Sequence, residues 1–468
     1  YNPGALTRMG RTQVMLNVAG VQQFVRFERT NFKGNGPLDN DTSSDGYGDP
    51  TDIQFDPITN KAPAYMIPHF GMSSSFGLPN TVFAFGFYPP YAPDLSYKAV
   101  GAQRYSLIDT QVIQTALGPS VAHKFFDWVS LGAGISWNWL YAEQELAISL
   151  PFHQQKALEY ALGNDLSLDG WNPDPNEDPA NDVRFKFEAQ DASGIGWNLG
   201  VLLEPPSHAW AFGLMIQPPV SFHTEGKMSA DFSNHVLYKK GAFDDDVILS
   251  KKVMDNKVKM EIAMPLIIKS GFAVRPGKQW ELELASVWQN WSSIEQITIT
   301  DLNLVVDLNE DFEVAGQPMG LEDAVIDENV NLPAAYQDSF SLRFGGQKDF
   351  GKTWSVRAGT FYESSGVPPA TQSVALVDGP KFGYGMGGTY QPHWRIAIDL
   401  GISQSFLKSR EVTDSEVRQI SVHPMTGKFL DGSTIGNGKY SSSLLIFGMG
   451  LNFYFQKALK SDSAETTG

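Results

Sequence analysis

The chain has 468 residues, enough for two or three soluble domains or one large barrel, and carries a net charge of −17, which argues against a nucleic-acid binder. It contains 44 glycines, 11 tryptophans and 12% aromatic residues but no cysteine, so β structure with many turns is favoured and disulfides and cysteine metal sites are excluded. Its mean hydropathy is slightly negative and no run approaches the roughly 20 apolar residues a membrane helix needs, which excludes a helical bundle but not a barrel.

In chain order, Tyr1–Arg11 is compact and broken by Pro and Gly. No charged-then-apolar leader precedes it, so a secretory signal is expected to have been removed or to lie outside this numbering. Alternation of apolar and polar residues begins near Thr12 and runs through Phe27, then resumes over Ala62–Phe76 and Thr81–Phe87. There Tyr88-Pro89-Pro90-Tyr91 interrupts it, because two prolines cannot donate ladder hydrogen bonds: the third strand must bend, end or leave the sheet.

Gly118–Tyr141, GPSVAHKFFDWVSLGAGISWNWLY, is the clearest stretch. It reads as two strands with a turn at Phe126-Asp127. In the second strand Val129, Leu131, Ala133, Ile135, Trp137, Trp139 and Tyr141 share one face, opposite Ser130, Gly132, Gly134, Ser136 and Asn138. A long apolar face ending in aromatics, backed by small polar residues, is the signature of a transmembrane barrel strand. Further strands are expected over Asp109–Phe125, Arg184–Leu203, Ala209–Thr224, Lys259–Val274, Gln279–Thr300, Asp338–Lys348, Thr353–Tyr362, Lys381–Tyr390, Trp394–Phe406 and Tyr440–Phe455. The total is about 14, even as in single-chain outer-membrane barrels.

Tight turns are expected at Gly77–Asn80, Phe126-Asp127, Glu204–His208, Arg275–Lys278, Phe350–Lys352 and Gln391–His393, and each alternates with a long segment. That rhythm belongs to an up-and-down barrel with short periplasmic turns and long outer loops. The long segments 30–61, 151–183 and 302–336 hold 21 acids against three lysines, a balance of −18 that accounts for the whole imbalance and leaves the remainder near neutral. The acidic loops read as solvated surface or, in Asp39–Asp49 or Asp174–Asp182, as a divalent-cation site, although neither matches an EF-hand loop, and the eight histidines show no metal-binding spacing. No nucleophile elbow or phosphate loop is present, so no catalytic residue, metal or cofactor is assigned.

Several stretches together resemble the FadL-type family of outer-membrane transporters for long-chain fatty acids and aromatic hydrocarbons. They are Asn2-Pro3-Gly4-Ala5-Leu6, close to the family's Asn-Pro-Ala hatch motif, GPSVAHKFFDWVSLGAGISW, VWQNWSSIEQITI (287–299), RAGTFYESSGVPPA (357–370) and the closing GMGLNFYF. The resemblance runs from Tyr1 to about Phe455, with Gly4 in place of the family's alanine and without the hatch residues that normally precede the motif. It implies an all-β transmembrane antiparallel barrel of about 14 strands over 12–455. Residues 1–11 would be a remnant of the N-terminal hatch, while the polar tail 456–468, expected on the periplasmic side, is a departure from the family.

The resemblance further implies passive uptake of a hydrophobic small molecule across the outer membrane of a diderm bacterium, among lipid and lipopolysaccharide. The ligand would bind in the lumen and leave sideways beside a kinked third strand, at Phe83, Phe85, Phe87, Tyr88, Pro89 and Pro90; the plainer alternative is that Pro89-Pro90 only ends a strand. Parity places Phe185, Phe187, Ile195, Trp197 and Leu199 outside and Arg184 and Lys186 inside, where they or Lys381 would meet a ligand carboxylate, or else serve as lumen ion pairs. The same parity turns Glu281, Glu283, Arg343, Arg357, Arg395 and Asp399 inward, as mutually paired charges holding the hatch. In the loop after the fifth strand, Phe152, Leu158 and Leu162 fall on one side of a helical pattern, a ligand-collecting groove by the resemblance or a loop-packing face by periodicity. A reading from another class is a barrel of this family acting as scaffold or adaptor, its acidic loops or Gln456–Gly468 tail docking a protein partner without transport. Transport requires an apolar tunnel; a scaffold requires a filled lumen.

Overall fold

The structure, a computed structural model, describes residues 2–30, 56–150, 179–235, 238, 249–254, 257–294, 296–301, 304–308, 310, 313–314, 317–318, 322–326, 329–333, 335–422, 429–430 and 432–456. Fourteen antiparallel strands close into a barrel. They are β1 (Gln13–Arg29), β2 (Tyr65–Ser74), β3 (Thr81–Tyr91), β4 (Asp109–Phe125), β5 (Val129–Ser149) and β6 (Asp182–Leu203). Then come β7 (Trp210–Gln217, continued by Val220–Asp231), β8 (Lys257–Met264, continued by Ile267–Val274), β9 (Trp280–Gln289) and β10 (Ser339–Phe350). The last four are β11 (Trp354–Glu363), β12 (Lys381–His393), β13 (Ile396–Leu407) and β14 (Gly438–Tyr454). Each pairs with its sequence neighbour, and β1 closes the ring on β14 from Gln13↔Tyr454 to Arg29↔Gly438.

The burial pattern is inside-out, as a lipid-facing wall requires. Large apolar side chains such as Ile135, Ile195, Leu284, Phe344, Leu400 and Phe447 are exposed, whereas Ser130, Asn138 and Gln114 are buried. Exposed aromatics mark the two membrane surfaces. Phe126, Trp128, Trp210, Trp280, Phe350 and Trp354 flank the short turns, and Trp137, Tyr362, Phe382, Tyr384 and Phe406 lie towards the opposite end. Among the described residues the largest conventional core lies at the outer end, where Phe27 stacks on Tyr440 with ring centroids 4.5 Å apart among Val25, Leu95, Tyr97 and Leu107. Beside it Arg104, fully buried, pairs with Asp182 at 2.5 Å, and the Tyr105 hydroxyl donates to the same carboxylate at 2.7 Å, tying the β3–β4 connection to the start of β6.

Several strands depart from simple alternation. β3 continues through Pro89 and Pro90 to Tyr91 with a register shift against β4 between Tyr88 and Tyr91, while its ladder with β2 stops at Phe70↔Phe87. β7 runs on to Asp231 across a break at Pro218-Pro219, and β8 breaks at Pro265-Leu266, directly opposite. β9 gives way at Asn290 to a 3-10 turn, Trp291–Ser293, before Gln296–Thr300 resumes extended pairing. The turn after β12 falls at Trp394-Arg395, because β12 extends to His393.

The parity expected for β6 is corrected at its outer half. A bulge against β5 between Asn138 and Leu140 inserts one extra residue at Ala192-Ser193, and an extra residue flips every side chain beyond it. Ile195, Trp197 and Leu199 face outward as expected. Beyond the bulge, Phe185 and Phe187 are buried, and Lys186 and Glu188 stand in register with Glu145 and Glu143, on the outward face of Trp137 and Tyr141.

Candidate functional site

Three elements shape the lower lumen. The Pro3–Met9 3-10 helix lies against the inner wall with Pro3 and Gly4 buried. Its seat is a floor of glycines: a Cβ at Gly132 would strike the Pro3 and Gly4 backbone, and one at Gly200 would strike Asn2 Oδ1 and approach Pro3 Cδ to 2.7 Å. Asn2 does double work, its Nδ2 donating to the Val201 carbonyl at 2.7 Å while its Oδ1 caps the helix by accepting from Gly4 N at 2.9 Å. At the helix end Arg8 pairs with Glu204 at 2.9 Å, and Arg275 bridges Glu204 at 2.7 Å to Glu281 at 2.6 Å. Burial would raise the Glu204 carboxyl, but bonds from Arg8, His208 and Arg275 outweigh it and hold it down at about 2.

Above this lies a cavity of about 1080 Å³. Tyr91 at the end of β3, Trp291 on the 3-10 turn and Tyr336 before β10 form one wall of edge-to-face rings, with centroid separations of 6.1 Å for Tyr91–Trp291 and 6.1 Å for Trp291–Tyr336. Val112, Phe222, Ile262 and Met264 supply an aliphatic and aromatic side opposite. Phe222, the buried member of that group, packs with Val220 and Leu140 as one cluster against which Val112, Ile262 and Met264 rest. A smaller recess of about 390 Å³ lies along the glycines of β11–β14.

The structure brings Lys381 to this cavity and leaves the other predicted cations elsewhere. Lys381 Nζ lies 2.6 Å from Asp378 and 2.9 Å from Glu363, and Asp378 is itself fixed by Gly366 N at 2.6 Å. A ligand carboxylate would therefore have to displace a carboxylate already in place. Arg184 pairs with Asp231 at 2.6 Å and Lys186 with Glu143 at 2.5 Å on the outward-facing side, a consequence of the β6 bulge. Phe152, Leu158 and Leu162 lie outside the described residues. Phe83 and Phe85 are exposed on β3, Phe87 and Tyr88 are half-buried, and only Tyr91 of that segment lines the cavity.

The lower charges are largely paired. Arg357 lies 3.7 Å from Asp399, Glu281 meets Arg275, and Arg343 lies 3.9 Å from Glu363, while Arg395 sits over the Trp394 ring. Trp291, Tyr336 and Asp378 were not singled out by sequence reasoning. Trp291 stands inside the VWQNWSSIEQITI stretch, so a signal existed for it; Tyr336 and Asp378 lie in long connections that meet only in the fold.

Comparison with known proteins agrees with this geometry. The profile of the family described as outer membrane protein transport protein (OMPP1/FadL/TodX) matches residues 1–455. The long-chain fatty acid transport protein of Escherichia coli O6:H1 is 20% identical over 228 residues, 48% of this chain and 45% of that protein. The protein of the same description from E. coli K12 is 20% identical over 225 residues, 47% and 44% respectively. The chain thus spans less than half the length of the curated relatives it matches. Among solved structures, a Pseudomonas aeruginosa FadL homologue superposes with a TM-score of 0.68 at 16% identity, covering 97% of this chain and 93% of the other. The P. putida toluene transporter TodX does so with a TM-score of 0.59 at 15% identity, over 97% and 93%.

Proposed function

Because the chain belongs to the OMPP1/FadL/TodX family of outer-membrane transport proteins, we propose that it takes up a hydrophobic small molecule passively through the cavity beneath its outer loops. The observation that carries this reading is the cavity itself, walled by Tyr91, Trp291 and Tyr336 and by Phe222, Ile262 and Met264 inside a closed barrel. Burying about ten methylenes there would contribute about 8 kcal/mol at about 0.8 kcal/mol each, the micromolar range before ordering costs. Such binding needs no energy source, only a path in and a path out.

The path out runs sideways beside β3. Supporting it, the β2–β3 ladder ends at Phe70↔Phe87, the next residues carry the bulge at Tyr88–Tyr91, and Tyr91 lines the cavity. The Pro3–Met9 helix, seated on its glycine floor, acts as a hatch that keeps the lower lumen from becoming an open water channel. Lys381 is the one predicted cation that lines the cavity, where it would orient the polar end of a ligand in balance with Asp378 and Glu363.

Native mass spectrometry of the detergent-extracted protein tests the reading. A retained fatty acid or hydrocarbon, lost on replacing Trp291 by alanine, is the expected result. A stoichiometric protein partner without any small ligand would replace uptake with a scaffold role.

A further inference from the structure

The barrel wall has a second discontinuity, four strands from β3. β6 and β7 pair from Leu199↔Ile216 to Leu203↔Phe212 at the inner end and from Arg184↔Asp231 to Gln190↔Glu225 at the outer end. The register is the same on both sides, yet Asp191–Asn198 and Gln217–Thr224 make no ladder with one another. At the same level β5–β6 carries its bulge, and β7–β8 is interrupted where Pro218-Pro219 faces Pro265-Leu266, whose three prolines cannot donate. One seam therefore crosses the wall from β5 to β8.

Side chains, not a ladder, close it. The Phe222 ring covers Gly194 so closely that a Cβ there would lie 2.6 Å from Cε1, and Phe222 is fully buried. Val220 sits over Gly196 in the same way, its Cγ2 3.1 Å from a Cβ built there. His223 N donates to the Asp191 carboxylate at 2.7 Å instead of to a strand carbonyl, and the Trp137 indole donates to the Ala192 carbonyl from outside. The unpaired stretches carry exposed Ile195 and Trp197 on β6 and His223, facing Glu261 of β8, on β7, so the seam sits at the edge of the apolar band. Irregular backbone at membrane depth is tolerated where it is buried in protein or lines a water-filled cavity. The large cavity meets that condition, for Ser221, Phe222 and His223 all line it.

We propose that the β6–β7 seam is a second lateral exit for an uncharged or singly charged hydrocarbon ligand, with Phe222 as its gate. Rotating this one apolar ring, which carries no hydrogen bond, uncovers Gly194 without breaking a strand pair and leaves the His223 N–Asp191 bond as a link across the seam. This rests on the uptake reading above. It adds that the cavity drains at both ends, by Tyr91 on β3 and by Phe222 on β7.

The test uses the full chain in outer membranes and follows entry of radiolabelled oleate and toluene. The chain has no cysteine, and a Cβ at Gly196 would lie 3.1 Å from Val220 Cγ2, so G196C/V220C is the pair chosen to clamp the seam under oxidation, its crosslink verified by mass. Clamping is expected to slow entry of the transported probe by about threefold, β3 carrying the remaining third of the flux, with recovery on reduction. Phe222→Ala is expected to speed entry, and Phe222→Trp to slow it. Unchanged entry in the oxidised clamp and in Phe222→Ala would overturn the proposal and leave β3 as the exit. If the double-cysteine chain does not assemble, as judged by heat-modifiable migration, Ala and Trp at 222 decide it: equal rates overturn the gate. Failure of the unaltered chain to admit either probe above cells lacking it would instead remove the uptake reading itself.

Discussion

Replacing Gly200 by alanine isolates the seat of the N-terminal helix from the barrel that holds it. The new methyl group points into the lumen, where it strikes Asn2 Oδ1 and lies 2.7 Å from Pro3 Cδ, so the wall is untouched but Asn2 must leave. Two bonds leave with it, the 2.7 Å donation to Val201 and the 2.9 Å cap on Gly4. At about 1 kcal/mol for each, docking weakens by about 2 kcal/mol, a shift of about 30-fold in the docked-to-undocked ratio. Gly448→Ala is the control, since nothing lies within 4 Å of a Cβ there. Ion conductance of single barrels in planar bilayers reads the result: Gly200→Ala is expected to show frequent large openings, and Gly448→Ala the quiet trace of the parent. Identical traces for the two variants would refute the idea that the glycine floor holds this helix.

Because its carboxyl is held near 2 against an ordinary value of about 4.3, Glu204 stabilises the docked helix fully above about pH 5 and loses that contribution as pH falls towards 2. Conductance should therefore be flat from neutral to mildly acid pH and rise below it, and Glu204→Gln should remove that acid limb. Neutralising Asp378 with asparagine leaves Lys381 only Glu363, so competition by a long-chain carboxylate against a neutral arene should improve; an unchanged ratio would show that Lys381 does not face the ligand. Asp182→Asn breaks a buried ion pair with the fully buried Arg104, a loss of about 3–5 kcal/mol, and protease nicking between residues 97 and 108 on intact cells should increase sharply while the barrel stays folded.

Much of the architecture could be read from residues alone because lipid imposes a period of two on every strand. Val129 to Tyr141 alternates without a defect, and the structure follows it residue for residue. β6 shows where that logic stops. Ala192-Ser193-Gly194 looks like three more lumen-sized residues, yet one of them is an insertion, and the inversion of Arg184 and Lys186 follows from it. The bulge rests on contacts from β5 and β7, the Trp137 indole and the His223 amide, which no local pattern displays. In the cavity, Lys381 was legible, and Tyr91 and Trp291 stood inside stretches with a signal, whereas Tyr336 and Asp378 come from connections separated in sequence and gathered by the fold. Likewise Gly132 and Gly200 read as members of a small polar face, and their partner in the Asn2-Pro3-Gly4 segment appears only in three dimensions.

The closure of β1 on β14 also governs how the molecule comes into being. Gln13 and Tyr454 lie at opposite ends of the described chain, and seventeen residue pairs between those strands complete the ring. Until the final strand has been delivered, β1 presents an unmatched edge and the cylinder stays an open sheet, a non-local pairing of the kind that forms slowly. The Pro3–Met9 turn immediately precedes that edge and ends up inside. It must settle against β5 and β6 before the sheet rolls shut or thread in afterwards through the lumen. Birth order and final geometry are thus coupled: a segment made before β1 is enclosed by an act that waits for β14.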